Sequence, residues 1–179
     1  MNPLWPRGIE VPLPMKLQTL RDALIHELRD LYSAETQLTK ALPQMAKAAS
    51  HQELSEAIED HLKETKEQVE RLKEAFEILD VSSRGEKCEA MSGLIEEGKK
   101  ILGEDAVEEV RDALIIVSAQ KIEHYEMAGY GAARTFAQML GEEEIADLLQ
   151  TTLEEEAATD EKLTDLAEDI VNCDARAAS

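Results

Sequence analysis

The sequence predicts an all-α fold, and three observations support this prediction. Only eight glycines and five prolines occur among 179 residues, and aromatic residues make up 3% of the chain. Apolar residues recur at steps of three and four over four long segments, which is the spacing of one helix face. A β-sandwich or β-barrel would require more β-branched and aromatic residues than this composition contains.

The apolar spacing divides the chain into helices and connections. The expected long helices, in chain order, span residues 16–48, 52–79, 105–139 and 142–171. Short turns join the first pair and the second pair, and the second turn contains Gly141. A connection of about 25 residues, with a short helix expected over 89–101, joins the two hairpins. Two antiparallel hairpins with one long crossover form the ferritin-like type of four-helix bundle.

The domain prediction places one bundle between two short terminal segments. Four of the five prolines lie within the first 14 residues, so residues 1–14 are expected to form a proline-rich arm. This segment has no apolar core and does not resemble a signal peptide. The bundle is expected over 15–172 and a C-terminal tail over 173–179.

Charge and cysteine content limit the possible partners. The chain contains 39 acidic and 19 basic residues, for a formal charge of −20, which argues against direct binding to nucleic acid or to an anionic membrane surface. No run of apolar residues is long enough to span a membrane. The two cysteines, Cys88 and Cys173, form no disulfide framework, which predicts a cytoplasmic location. Metal cations are the expected ligands, and a homodimer is the expected assembly.

Polar residues interrupt the apolar faces at the middle of the bundle. Glu35, His61 and Glu156 replace apolar residues on three of the four faces, and Glu123 and Glu126 lie at the corresponding height on the remaining long helix. In an antiparallel hairpin, residues equidistant from the turn lie at one level. The level pairs of acids are Glu35 with Glu64, Glu126 with Glu156, and Glu123 with Asp160.

Several carboxylates inside one bundle repel each other and lose hydration, and divalent cations relieve both effects. The sequence therefore predicts a site for two metal ions, iron or manganese, because these ions accept carboxylate and imidazole ligands. The candidate metal ligands are Glu35, His61, Glu64, Glu123, Glu126, Glu156 and Asp160. No catalytic residue is assigned.

Three alternatives remain open at this point. The choice between Glu123 and Glu126 as inward-facing ligand is undecided, and His61 fits a ligand or a histidine bonded to a carboxylate. The usual dimetal motif is Glu-x-x-His, whereas here His61-x-x-Glu64 has the reverse order. A bundle without metal, in which Lys121 or Arg134 pairs with the buried acids, is the third alternative.

Five stretches of the sequence are shared with a known family. They are LYSAETQLTKALP (31–43), HLKET (61–65), KCEAMSGLIEEG (87–98), AQKIEHYEMAGYG (119–131) and TLEEEAATDEKLTDLA (152–167). Through them, the segment from about 16 to 171 resembles the YciE/YciF family of ferritin-like proteins. The resemblance implies a dimetal-type helical bundle linked to stress responses.

The expected function is therefore a dinuclear metal carboxylate protein. Its expected chemistry is oxidation of Fe(II), or reduction of peroxide or O₂ at the metal pair. The alternative is a structural or interaction protein that serves in stress protection without turnover.

Overall fold

The computed structural model describes residues 17–85 and 87–178, and this part of the chain contains helices and no strands. The prediction of an all-α helical bundle is confirmed. The predicted N-terminal arm lies outside the described residues. The helices are α1 (Leu20–Ala48), α2 (Gln52–Ile78), α3 (Glu89–Leu102), α4 (Glu108–Leu140), α5 (Glu143–Leu166) and α6 (Asn172–Ala177), with a π-helical turn at Ala167–Val171.

The start of α1 is determined by a local cap and lies four residues after the predicted start at residue 16. The hydroxyl of Thr19 accepts a hydrogen bond from the Asp22 backbone N–H at 3.1 Å. The Asp22 carboxylate accepts one from the Thr19 backbone N–H at 2.9 Å. This reciprocal capping box satisfies two backbone donors that would otherwise lack partners at the helix start.

The C-terminal part of the bundle differs from the predicted single helix over 142–171. The α-helix ends at Leu166, the π-helical turn follows, and α6 then extends to Ala177. Helical structure therefore continues beyond residue 172, where the sequence predicted the tail. The apolar spacing through Ile170 concealed the inserted residue of the π turn, because such a turn changes the register without changing composition.

The four long helices form a square arrangement. Helix α1 lies beside α2 and α4, and α5 lies beside α4 and α2. The crossover helix α3 lies against α1 and α4. It therefore covers the face between α1 and α4, and the opposite face of the bundle is the one between α2 and α5.

Polar contacts hold the crossover against α1. The Cys88 backbone N–H donates to the Ser33 hydroxyl at 2.8 Å, and the Gln37 amide donates to the Cys88 carbonyl at 3.0 Å. The Arg29 guanidinium donates to the Ser82 carbonyl at 2.9 Å. These bonds fix the path of the long connection.

Two apolar clusters fill the bundle, with a polar layer between them. The cluster nearer the α1–α2 turn includes Leu38, Leu42, Met45, Leu54, Ile58, Ile115, Ile116, Ile122 and Leu163. The cluster nearer the α4–α5 turn includes Leu24, Leu28, Leu31, Leu72, Phe76, Ala133, Ile145 and Leu149. No helix among residues 17–85 and 87–178 has an apolar stretch long enough to cross a bilayer.

A buried aspartate fastens the α1–α2 turn to α4. The Asp112 carboxylate accepts hydrogen bonds from the Ser50 N–H at 2.9 Å, the Ser50 hydroxyl at 2.7 Å and the His51 N–H at 2.8 Å. These donors would lose their partner if the carboxylate were removed.

We expect Asp112→Ala to lower the free energy of unfolding by about 2–3 kcal/mol, because it leaves several donors without an acceptor. Urea denaturation measures this change. Asp105→Ala, which removes the same charge from an exposed position, is the matched control and should change stability little. Equal effects of the two substitutions would contradict the role of Asp112.

Candidate metal centre

Four side chains from three helices meet in the polar layer. They are His61 of α2, Glu123 and Glu126 of α4, and Glu156 of α5, and one ligand atom of each lies within 4.8 Å of the others. All four are buried. Glu123 and Glu126 share one face of α4 because residues three apart in a helix project to the same side. We refer to these four residues as the His61 cluster.

The ligand atoms of the cluster are largely without hydrogen-bond partners. Both carboxylate oxygens of Glu126, both of Glu156, and both ring nitrogens of His61 are buried and form no hydrogen bond. The nearest approach of His61 is from Nε2 to Glu123 Oε1 at 3.4 Å. Buried polar atoms are almost always paired in proteins, so these unpaired atoms mark the cluster as a candidate ligand site.

Burial and mutual repulsion raise the pKa values of the carboxyl groups. Burial is the main cause for Glu123, followed by the charge of Glu156. Burial also raises the pKa of Glu126 well above its usual range, and the charge of Glu35 adds to the effect. For Glu156 burial raises the pKa as well. Without a cation, the cluster therefore favours bound protons.

Glu35 lies beside the cluster, with one carboxylate oxygen hydrogen-bonded and the other without a partner. Its Oε1 accepts a hydrogen bond from the Tyr130 hydroxyl at 2.5 Å, whereas Oε2 is buried without a partner. Burial, and then the charge of Glu156, raise the pKa of Glu35 well above its usual range. The apolar spacing predicts Glu35 as a ligand, but it does not indicate Tyr130 as the partner of Glu35.

Besides Glu35, two other predicted ligands lie outside the cluster. Glu64 is partly exposed, and its Oε2 lies 3.8 Å from His61 Nδ1. Asp160 accepts a hydrogen bond from the Gln120 amide at 3.2 Å and lies 3.3 Å from His124 Nε2. The level-pair rule predicts both acids at the height of the cluster, but height alone does not determine which way a side chain points.

The bases of α4 do not neutralise the buried acids. Lys121 pairs with Glu97, and Arg134 donates to the Gln150 side chain at 2.6 Å. The alternative in which these two bases pair with the cluster is therefore wrong.

An ion pair that the sequence pattern did not predict lies beside the cluster. Arg71 of α2 donates to both carboxylate oxygens of Glu155, at 2.5 and 2.6 Å. The Gln68 amide donates to the same carboxylate at 3.1 Å. The sequence feature that could have indicated this ion pair is the position of Arg71, one helical turn after the polar residue Gln68. Because Arg71 is already paired with Glu155, it does not neutralise the His61 cluster.

Comparison with known proteins assigns the family. The family described as Domain of unknown function (DUF892) matches residues 19–176. The chain belongs to this family. Protein YciF from Escherichia coli is 49% identical over 159 residues, which cover 88% of this chain and 96% of YciF. This relationship confirms the resemblance to the YciE/YciF family.

Solved structures agree with this assignment. The structure of the E. coli stress protein YciF has a TM-score of 0.84 and 50% identity, covering 88% of this chain and 99% of that one. YcfI from Rhodopseudomonas palustris, described as a candidate structural protein, has a TM-score of 0.81 and 44% identity, covering 83% and 95%. A Xanthomonas campestris protein with 24% identity and a TM-score of 0.71, covering 89% and 99%, shares the fold.

The raised carboxyl pKa values predict how the free energy of unfolding of this DUF892 protein depends on pH. A raised pKa means that the folded state binds more protons than the unfolded state. We expect the free energy of unfolding of metal-free protein to fall as the pH rises from about 4.3, the ordinary glutamate value, through the raised values. Replacing two carboxyls in Glu123→Gln/Glu126→Gln should reduce that fall by roughly 1–3 kcal/mol between pH 5 and 7.

Urea denaturation of metal-free protein at several pH values measures the slope. The control Glu59→Gln/Glu161→Gln removes two exposed charges and should retain most of the wild-type slope. An identical slope in the wild type and in both double variants would show that the cluster carboxyls titrate normally.

Proposed function

We propose that this protein binds two divalent ions, iron or manganese, and acts in the oxidation of Fe(II) or in the reduction of peroxide or O₂. The observation that carries the proposal is the His61 cluster, with ligand atoms within 4.8 Å of each other and most of its polar atoms without hydrogen-bond partners. Several carboxylates with one imidazole suit iron or manganese better than a structural zinc site. When bound, such ions supply Lewis-acid and one-electron chemistry.

The proposal divides the ligands between two ions. We assign the first ion to the His61 cluster, and the second to Glu35 together with Glu126 and Glu156. The free Oε2 of Glu35 supports this division, because the other oxygen of that carboxylate is already bonded to Tyr130. The charge of Glu156 contributes to the raised pKa of Glu35, and the charge of Glu35 contributes to the raised pKa of Glu126, which supports grouping these three carboxylates.

Neighbouring side chains orient the ligands. Tyr130 donates its hydroxyl hydrogen to Glu35 and thereby fixes the direction of that carboxylate. Glu64 lies on the Nδ1 side of His61, at 3.8 Å, and favours the tautomer with the proton on Nδ1. His61 Nε2 then faces Glu123 with its lone pair available for a cation. The two apolar clusters above and below the layer exclude bulk water from it.

The second candidate function is a structural protein without bound metal. The description of the R. palustris relative as a candidate structural protein favours this candidate. It requires protonated glutamates, because the bases Lys121, Arg134 and Arg71 are bonded elsewhere. The metal content of protein purified without a tag distinguishes the two candidates.

The proposal extends to the cellular setting of the protein. A role in stress follows from the similarity to the E. coli stress protein YciF. We also propose a cytoplasmic homodimer, and the two unpaired cysteines, Cys88 and Cys173, fit a reducing compartment.

Metal stoichiometry tests the division of ligands. We expect two Mn(II) or Fe(II) per chain in wild type, about one in Glu35→Gln, and none in Glu156→Gln, which removes a ligand shared by both ions. Elemental analysis after anaerobic loading and gel filtration measures the content. Glu161→Gln, an exposed substitution on the same helix as Glu156, should retain two ions. A wild-type protein that is fully helical and binds no metal would establish the structural alternative.

Metal binding should also change the pH dependence of thermal stability. Protons compete with cations for the same carboxylates, so stabilisation by metal should be lost as the pH falls. At pH 7 and about 100 times the dissociation constant, Mn(II) should add roughly 2.7 kcal/mol and raise the melting temperature by about 5–10 °C. At pH 5 the same concentration should have little effect. An equal increase at both pH values would indicate that Mn(II) binds to groups other than the buried carboxyls.

A further inference from the structure

A cleft between α2 and α5 leads from the surface to the His61 cluster. Its volume is about 100 Å³, and its lining includes Asp60, His61 and Glu64 of α2 and Ala158 and Lys162 of α5. The small side chain of Ala158, together with Ala57, leaves this gap between two helices that are otherwise in contact.

His61 is the member of the His61 cluster that lines this cleft. It is 4% exposed, and Nδ1 and Nε2 are both without a hydrogen bond. Nδ1 lies on the side of the partly exposed Glu64, and Nε2 lies on the side of the buried Glu123. The imidazole ring therefore separates the cleft from the interior carboxylates.

Three other directions toward the cluster are closed in the described structure. Along the bundle axis, the two apolar clusters close the layer from above and below. On the side between α1 and α4, the crossover helix α3 covers the bundle, and Cys88 is buried there. The face between α2 and α5 is opposite α3, and this is where the cleft opens.

The mouth of the cleft carries charges of both signs. Asp60 and Glu64 have side chains that are 56% and 44% exposed, and Lys162 is 52% exposed. Hydrogen bonding and charge from Lys63 lower the pKa of Asp60, and His61 lowers the pKa of Glu64, so both acids are ionised at neutral pH. Lys162 Nζ lies 3.8 Å from Asp60 Oδ2, and Lys63 Nζ lies 2.8 Å from Asp60 Oδ1.

We propose that divalent cations reach the buried carboxylates through this cleft. Asp60 and Glu64 attract the hydrated ion at the mouth, and His61 is the first interior ligand that the ion meets. The ammonium group of Lys162 opposes the approach of a cation and lowers its rate of capture. This inference rests on the proposed metal site, and it adds the route by which that site is filled.

Stopped-flow mixing of Co(II) with metal-free protein tests the route, because visible absorbance reports the ion entering carboxylate and imidazole coordination. Lys162→Glu should accelerate uptake roughly three- to tenfold at low ionic strength, and added salt should remove the gain. Lys66→Glu makes the same charge change at an exposed position of α2 that does not line the cleft, and should accelerate uptake much less.

A steric variant tests the same route without changing charge. Ala158→Trp fills the cleft and should slow uptake at least about tenfold, while the amount of Co(II) bound at equilibrium stays at the wild-type value. Ala158 is exposed, so this substitution should leave the helical circular dichroism spectrum unchanged. If Ala158→Trp fails to fold, the comparison of Lys162→Glu with Lys66→Glu decides the question.

The outcomes separate the route from the site. Wild-type uptake rates in Ala158→Trp, or equal rates in the two lysine variants, would overturn the route while leaving the metal site intact. No Co(II) uptake by wild type at equilibrium would overturn both the site and the route. Faster uptake in Lys162→Glu with slower uptake in Ala158→Trp supports the cleft as the path.

Discussion

The desolvation of carboxylates in the middle of a helical bundle is the constraint on which the rest of this structure depends. Glu35, Glu123, Glu126 and Glu156 occupy positions that apolar residues would fill in an ordinary bundle. Each buried carboxylate costs several kcal/mol of hydration and repels its neighbours. In the folded state, the carboxylates of this layer therefore have to bind protons or cations. The apolar clusters on both sides have to offset the free-energy cost of burying the layer.

The polar layer differs from a network of ion pairs because the neighbouring basic side chains do not bond to its carboxylates. The bases nearest to it are already bonded, with Arg71 held by Glu155 and Arg134 by Gln150. Among the described residues, the Tyr130 hydroxyl donates to one oxygen of Glu35 at the edge of the layer. A layer with acceptor atoms and almost no donors has the composition of a cation site, whereas an ion-pair layer would contain roughly as many bases as acids.

The long crossover determines which side of the polar layer is covered. By lying against α1 and α4, helix α3 closes one side of the bundle, and its N-cap residue Cys88 bonds to Ser33 and Gln37 of α1. The opposite side, between α2 and α5, has small residues at the height of His61 and remains accessible. The same topology that completes the fold therefore makes the two sides of the polar layer unequal, which matters for any ligand that has to enter it.

The sequence by itself determined the helical class, the two hairpins, the crossover and the height of the polar layer. These features follow from the spacing of apolar residues along a helix and from distance to a turn, and both are properties of the chain alone. Tertiary structure decided which polar residues face each other. Glu64 and Asp160 are expected at the height of the cluster, yet Glu64 is partly exposed and Asp160 bonds to Gln120, because helix rotation is fixed by packing between helices. The pairing of Tyr130 with Glu35 and of Arg71 with Glu155, the π-helical turn, and the cleft beside His61 all depend on contacts between distant segments, which no single helical pattern encodes.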